Sequence, residues 1–433
     1  MTPLLCRKGP KWLSLGAVFL LTVLILGGIS DHELAGGSLA YADTRIIPSV
    51  TVSERYDTNV FNTAKQFIPS DRKKWDFVTT GAPQLHFISS EEGVKTDLLV
   101  SASGNAFVNN PELNFISTNA ALTSNLDKFI GKWIPGAKLE VSDYFRYTPQ
   151  PPAFLTGVQA SQGVPDIYAR GLQVARANAT SNTAKVTGTY ALSPAVDLLG
   201  TYSHSFFSVG QVYVSQGTGG ATPTSGLTTE THAFAVGPSL QLSRGDTLSL
   251  QYKNGYTKFS GTGTSDQSFT ARGFEAEYSG TMEGWTVVFA GGGVLVDPGD
   301  RTYPIGRIVL TTRLDPATTA TIRLSRTIAP TLFGTIGALV SDTAGVSLEH
   351  SLERGVRLTG TINYATNEST PVTNTKFETL AGQLMLTYPL SRTIATTMKY
   401  DYTHFTYNSS VGGVTTDFLF GKSALTLSVA FTW

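Results

Sequence analysis

The stretch "YSHSF", Tyr202 to Phe206, sets His204 between Ser203 and Ser205, the side chains from which a nucleophile and its general base are made. On an extended chain neighbouring side chains point to opposite faces, so adjacency makes no dyad, and His204 shares its face with Tyr202 and Phe206 instead. "FGKS", Phe420 to Ser423, resembles the end of a phosphate-binding loop. The preceding glycine, Gly413, stands at the wrong spacing to bring backbone amides round a phosphate, and a strand rather than a helix follows. His86, His204, His232, His350 and His404 are scattered with no close pair, and His32 lies near the N-terminus. With Cys6 the only cysteine, no spacing suits a zinc centre. The sequence therefore predicts no catalytic residue, no metal ligand and no cofactor, and reads as a non-enzyme.

The charges are more informative. Lys95, Asp97, Lys138, Glu140, Arg146, Lys185, Lys253, Glu275, Glu277, Arg307, Arg313, Arg323, Arg357, Lys399 and Asp401 all fall on the polar side of stretches that alternate apolar with polar. Rings of such charges set the selectivity of a pore, and the basic excess predicts a weak preference for anions. The competing reading is that they pair across neighbouring strands and hydrate an interior.

Those alternating stretches are the elements that must position the charges. In "LSLQYKNGY", Leu248, Leu250, Tyr252 and Tyr256 oppose Ser249, Gln251 and Lys253; in "GVRLTGTINY", Val356, Leu358, Ile362 and Tyr364 oppose Arg357, Thr359 and Thr361. Tight turns separate some stretches, as at "QLSRGDTLSL" (Gln241 to Leu250), "SGTMEGWTV" (Ser279 to Val287) and "PLSRTI" (Pro389 to Ile394). Longer segments separate the others, among them Asp57 to Lys74, Thr148 to Ala169, Val209 to Thr229, Gly261 to Gln267 and Asn408 to Phe420. The loop from Thr148 to Ala169 carries Phe154, Leu155 and Ile167 and is a candidate to fold into a pore or pack at its rim. Short connections on one side and long ones on the other mark an outer-membrane barrel. The count is an all-β, transmembrane, antiparallel up-and-down β-barrel of about 18 strands. Polar faces of Thr, Ser, Gln and Asn suit a wet lumen, and apolar faces ending in Tyr, Phe or Trp suit the aromatic girdles.

Composition agrees. The 433 residues have a formal net charge of +0 and only 15% charged side chains, without the basic footprint of a nucleic-acid binder. At the N-terminus Arg7, Lys8 and Lys11 precede the apolar run "WLSLGAVFLLTVLILGG", and Ala40 and Ala42 make an A-x-A site. Residues 1–42 are thus expected to be a cleaved signal peptide and residues 43–433 a barrel. A mature chain without thiols must be held by its core or by closure of its sheet.

The chain closes on "SALTLSVAFTW", with Leu425, Leu427, Val429, Phe431 and Trp433 on one face. Such a strand is expected to pair with the first one, near Ile46 to Tyr56, so that no backbone edge is left in lipid.

"PSVTVSERYDTNV" and "LTYPLSRTIATTMKYDYTHF" resemble the opening strand and hairpins of a family of Gram-negative outer-membrane β-barrels encoded with exopolysaccharide and exosortase (PEP-CTERM) systems, and of related porin-like barrels. The resemblance implies outer-membrane lipid as surroundings and a pore or conduit for polysaccharide or small polar solutes. It also implies that a last strand ending in Phe431 and Trp433 is the recognition signal for the barrel insertion machinery. It supplies no catalytic residues. The alternatives are a structural or adhesive surface barrel with a plugged lumen, a barrel enzyme, and a soluble periplasmic β-protein.

Overall fold

A computed structural model describes residues 43–68, 70–91, 94–148, 177–212, 227–261, 264–297, 299–330, 338–370, 374–411 and 414–433. The segment 1–42 and the loop residues 149–176, with Phe154, Leu155 and Ile167, lie outside the described residues. The strands are β1 (Asp43–Asp57), β2 (Asp76–Glu91), β3 (Val94–Phe107), β4 (Phe115–Asn125), β5 (Ala137–Thr148), β6 (Ala177–Ser193), β7 (Val196–Val212), β8 (Leu227–Ser243) and β9 (Asp246–Gly261). They continue as β10 (Thr264–Met282), β11 (Trp285–Asp297), β12 (Arg301–Asp315), β13 (Thr318–Pro330), β14 (Ala338–Ser351), β15 (Arg357–Thr370), β16 (Asn374–Pro389), β17 (Ile394–Val411) and β18 (Val414–Thr432). A short α-helix, α1 (Asp127–Trp133), stands between β4 and β5.

Each strand pairs antiparallel with the next in sequence, and β18 pairs with β1 over Ser49↔Thr432 to Asp57↔Ala424, so the 18-stranded sheet is closed. The backbone N–H of Trp433 also donates to the carbonyl of Pro48 (3.1 Å). Closure is what lipid demands, because an open edge would leave unpaired amides where no water can satisfy them. Among the described residues no helix is long and apolar enough to cross a membrane.

The turns follow their residues. Glu283 and Gly284 (φ 48° and 83°) join β10 to β11 with two positive-φ positions, the mirror-image turn whose twist matches the strands it links. Between β14 and β15, Arg354 and Gly355 adopt the same sign (φ 58° and 76°).

Several connections are shorter than the sequence predicts. β17 runs to Val411 and β18 starts at Val414, inside the segment expected to be a loop from Asn408 to Phe420; likewise β9 reaches Gly261 and β10 starts at Thr264. Polar cross-strand pairs such as Asn408↔Asp417 and Ser409↔Thr416 carry the ladder past the girdle into water. Strands of up to 19 residues exceed the roughly 9–11 that a bilayer requires, so the surplus projects on the long-loop side.

Candidate functional site

Residues opposite each other in register share a face, so a parity fixed on one strand carries round the closed sheet. The row Leu384, Tyr400, Leu425, Tyr56, Phe77 lies on one face, and its members are exposed although large and apolar. The same face carries Val100, Val186, Phe274, Phe289, Val346, Ile362 and Leu427, all exposed. This is the outer, lipid-facing wall. Tyr56, Trp75 and Phe77 pack together on it with centroids 5.1 to 6.2 Å apart, a girdle cluster at the loop end of β1 and β2. Trp433 and Phe431 sit on this face at the opposite, turn-side end.

The other face is concave and has two parts. On its turn side it is hydroxyl-rich: Thr387 and Thr397, Thr311 and Thr321, Ser325 and Thr343, and Thr183 and Ser205 are hydrogen-bonded across strands at 2.6 to 3.2 Å. Lys95, Lys138, Arg146, Lys185, Lys253, Glu275, Glu277, Arg307, Arg313, Arg323, Arg357, Lys399 and Asp401 all share this parity. Some are paired: Lys253 with Glu275 (2.5 Å), Arg307 with Glu277, Lys399 with Asp401 (2.9 Å) and Arg357 with Glu349 (3.2 Å). His86 Nε2–H donates to Asp97 Oδ1 at 2.9 Å. Lys95, Lys138, Arg146, Lys185, Arg313 and Arg323 have no ion pair among the described residues.

Toward the loops the same face is closely packed. Leu339, Phe377, Phe405 and Phe420 form one buried cluster with Tyr407 against it; Phe259, Phe269 and Val296 form a second with Ala338 from the start of β14; Val78 and Phe107 form a third with Val60 and Leu113 from the β1–β2 and β3–β4 connections. The hydroxyl-lined face expected from the sequence therefore gives way to aromatics near the mouth. The signal was present in "FETLAGQL", where Phe377 shares its parity with Thr379 and Gln383, and in "FTARGFEAE", where Phe269 shares it with Glu275.

The connection from β1 to β2 is tied to this mouth by buried charge. Asp57, fully buried, meets Lys422 Nζ at 2.9 Å and Arg55 Nε at 3.7 Å, and Lys422 also donates to Asn62 Oδ1 (2.8 Å). Asp76, also fully buried, accepts from the backbone N–H groups of Asn109 (2.8 Å) and Asn110 (2.9 Å) and from Asn110 Nδ2 (2.8 Å). Lys422 belongs to the "FGKS" stretch, and its role is an ion pair in the wall.

Ser203 and Ser205 face inward while His204 faces outward, so no Ser–His pair forms there. The histidines nevertheless do not all stand apart, as the sequence predicts. His204 and His232 are register partners on β7 and β8, with ring centroids 4.8 Å apart, and Glu230 lies beside both. Linear spacing conceals the trio because 28 positions separate two residues that cross-strand pairing makes neighbours.

The family model described as "Putative beta-barrel porin 2" matches residues 310–420, from the middle of β12 into β18. The chain is a porin-like β-barrel of the bacterial outer membrane. Among solved structures, this porin-like barrel is similar to the siderophore receptor PirA of Acinetobacter baumannii, with 6% identity over 90% of this chain and 80% of that one and a TM-score of 0.44. The ferric enterobactin receptor PfeA of Pseudomonas aeruginosa matches with 8% identity over 93% and 81% and a TM-score of 0.45. OccAB3 of Acinetobacter baumannii matches with 12% identity over 90% and 100% and a TM-score of 0.42. No curated protein matches the chain significantly.

Proposed function

We propose that the barrel is a passive, water-filled pore for small polar solutes with a preference for anions. The carrying observation is the charge imbalance of the concave wall: Lys95, Lys138, Arg146, Lys185, Arg313 and Arg323 have no ion pair among the described residues, and outnumber Glu140 and Asp197, unpaired acids of the same parity, while Glu275, Glu277 and Asp401 are each paired. Rings and rows of uncompensated charge raise the local concentration of the opposite ion and so set selectivity. Cross-strand pairing alone does not use up the basic residues. An 18-stranded barrel is wide enough to leave an aqueous interior.

In this reading residues 1–42 are the export signal and Asp43, where β1 begins, is the first mature residue. Phe431 and Trp433, on the outer face at the turn side, are the part that the insertion machinery recognises. A conduit for exopolysaccharide would use the same wall, and rests only on the resemblance of the opening strand and of the β16–β17 hairpin. The packed aromatics at the mouth favour a second reading, a surface barrel whose lumen is closed at that level.

Reconstitution of the refolded mature chain in a planar bilayer separates these. Steady conductance with a reversal potential on the anion side in a salt gradient supports the pore. Cation preference removes the selectivity claim, and silence at all voltages removes the open pore and leaves the closed barrel.

A further inference from the structure

We propose that His204, Glu230 and His232 form a binding site for one divalent transition-metal ion of the zinc class, on the outer wall of the β7–β8 hairpin. His204 Nε2 lies 3.1 Å and His232 Nε2 3.5 Å from the same carboxylate oxygen, Glu230 Oε1. All three donors fall within 4.8 Å of one another. Zinc bonds to nitrogen and carboxylate oxygen run about 2.0–2.2 Å, so adjacent ligands on a tetrahedron stand about 3.3–3.5 Å apart. Two of the trio's three edges, 3.1 and 3.5 Å, already lie at or close to that spacing.

Two further features distinguish it from an ordinary cross-strand polar pair. His232 Nδ1 lies 2.9 Å from the hydroxyl of Tyr202; with Nδ1–H donating to that oxygen, the lone pair of Nε2 is left for a metal. A partner on the second ring nitrogen is what orients a ligating imidazole and fixes its tautomer. The side chains are also open, 34%, 47% and 44% exposed for His204, Glu230 and His232, which leaves a fourth coordination position for water.

The position along the strand makes the site reachable. The outward residues of β8 run Leu242, Leu240, Pro238, Val236 and Phe234 before His232 and Glu230, so the trio stands just past the apolar band on the long-loop side. Across the β8–β9 ladder, Tyr256 faces His232 and Lys258 faces Glu230, and across β6–β7 Ala184 faces His204. Two imidazoles and one carboxylate select the zinc class over calcium or magnesium, which require oxygen ligands.

The test is a titration of the refolded, detergent-solubilised barrel with Zn²⁺ against a chromophoric chelator, repeated with Co²⁺ to read the tetrahedral visible spectrum. The expected result is one equivalent bound by the wild type and at least a hundredfold weaker binding by His232→Ala and by Glu230→Gln. Tyr202→Phe, which keeps all three ligands, should weaken binding about tenfold, the size of effect typical of an outer-shell partner. His86→Ala, on the concave face, should leave binding unchanged. Absence of stoichiometric binding by the wild type overturns the site, and so does retention of wild-type affinity by folded His232→Ala.

Discussion

The mouth and the turn-side wall of the same concave face are built on opposite principles. At the mouth, Phe377, Phe405 and Phe420 are at most 3% exposed and Asp57 not at all. On the turn side the Arg357 side chain is 60% exposed and that of Arg307 51%. One end is a packed core that happens to lie inside a barrel, and the other is a hydrated surface turned inward. The mouth should therefore govern stability and the turn-side wall selectivity.

The largest expected effect is at the buried ionic knot. Asp57→Ala leaves the Lys422 amine without its ion-pair partner in a site where only 17% of the Lys422 side chain is exposed, and should cost about 3–5 kcal/mol. Urea unfolding of the refolded barrel measures it. The double variant Asp57→Asn, Lys422→Met should recover much of the loss, since a buried pair replaced whole is often neutral.

Phe405→Ala comes next, removing the centre of the cluster that joins Phe377 and Phe420 at 6.3 and 5.3 Å, for a loss of about 3–5 kcal/mol in the same assay. If instead it leaves stability intact and raises conductance severalfold, the aromatics are a gate rather than a core.

Gly292→Ala tests the wall between the two regions, because a Cβ there would stand 1.9 Å from the carbonyl oxygen of Phe274 on the facing strand. Forcing β10 and β11 apart should cost about 1–3 kcal/mol.

The smallest stability effect belongs to Lys253→Met. Its partner Glu275 lies 2.5 Å away, but the Lys253 side chain is 39% exposed, so the pair should be worth about 1 kcal/mol or less. Its reversal potential should nonetheless move toward cations as Glu275 is uncovered.

The barrel was legible because alternation and turn chemistry are local. "PLSRTI" fixes a hairpin whichever way the sheet curls, and the alternation of "SALTLSVAFTW" marks the strand that pairs with β1. What was not legible depends on partners distant in sequence. Phe377, Phe405 and Phe420 look like stray aromatics on three strands until register brings them together, and so do His204 and His232. Strand ends beyond the membrane were missed for another reason. Past the girdle the apolar half of the alternation is no longer required, so Asn408 and Ser409 read as a loop although they stay paired with Asp417 and Thr416.

The central claim is that the polar parity faces water and the apolar parity faces lipid. Cys6 is the one cysteine of the sequence and lies ahead of the described barrel, so in a chain of residues 43–433 a single cysteine can be placed without background. Lys399→Cys and Tyr400→Cys, adjacent on β17, should be compared in a bilayer during exposure to a charged, membrane-impermeant thiol reagent. Modification at 399 with a fall in conductance, and no reaction at 400, is the expected result; reaction at 400 with 399 inert would contradict the account.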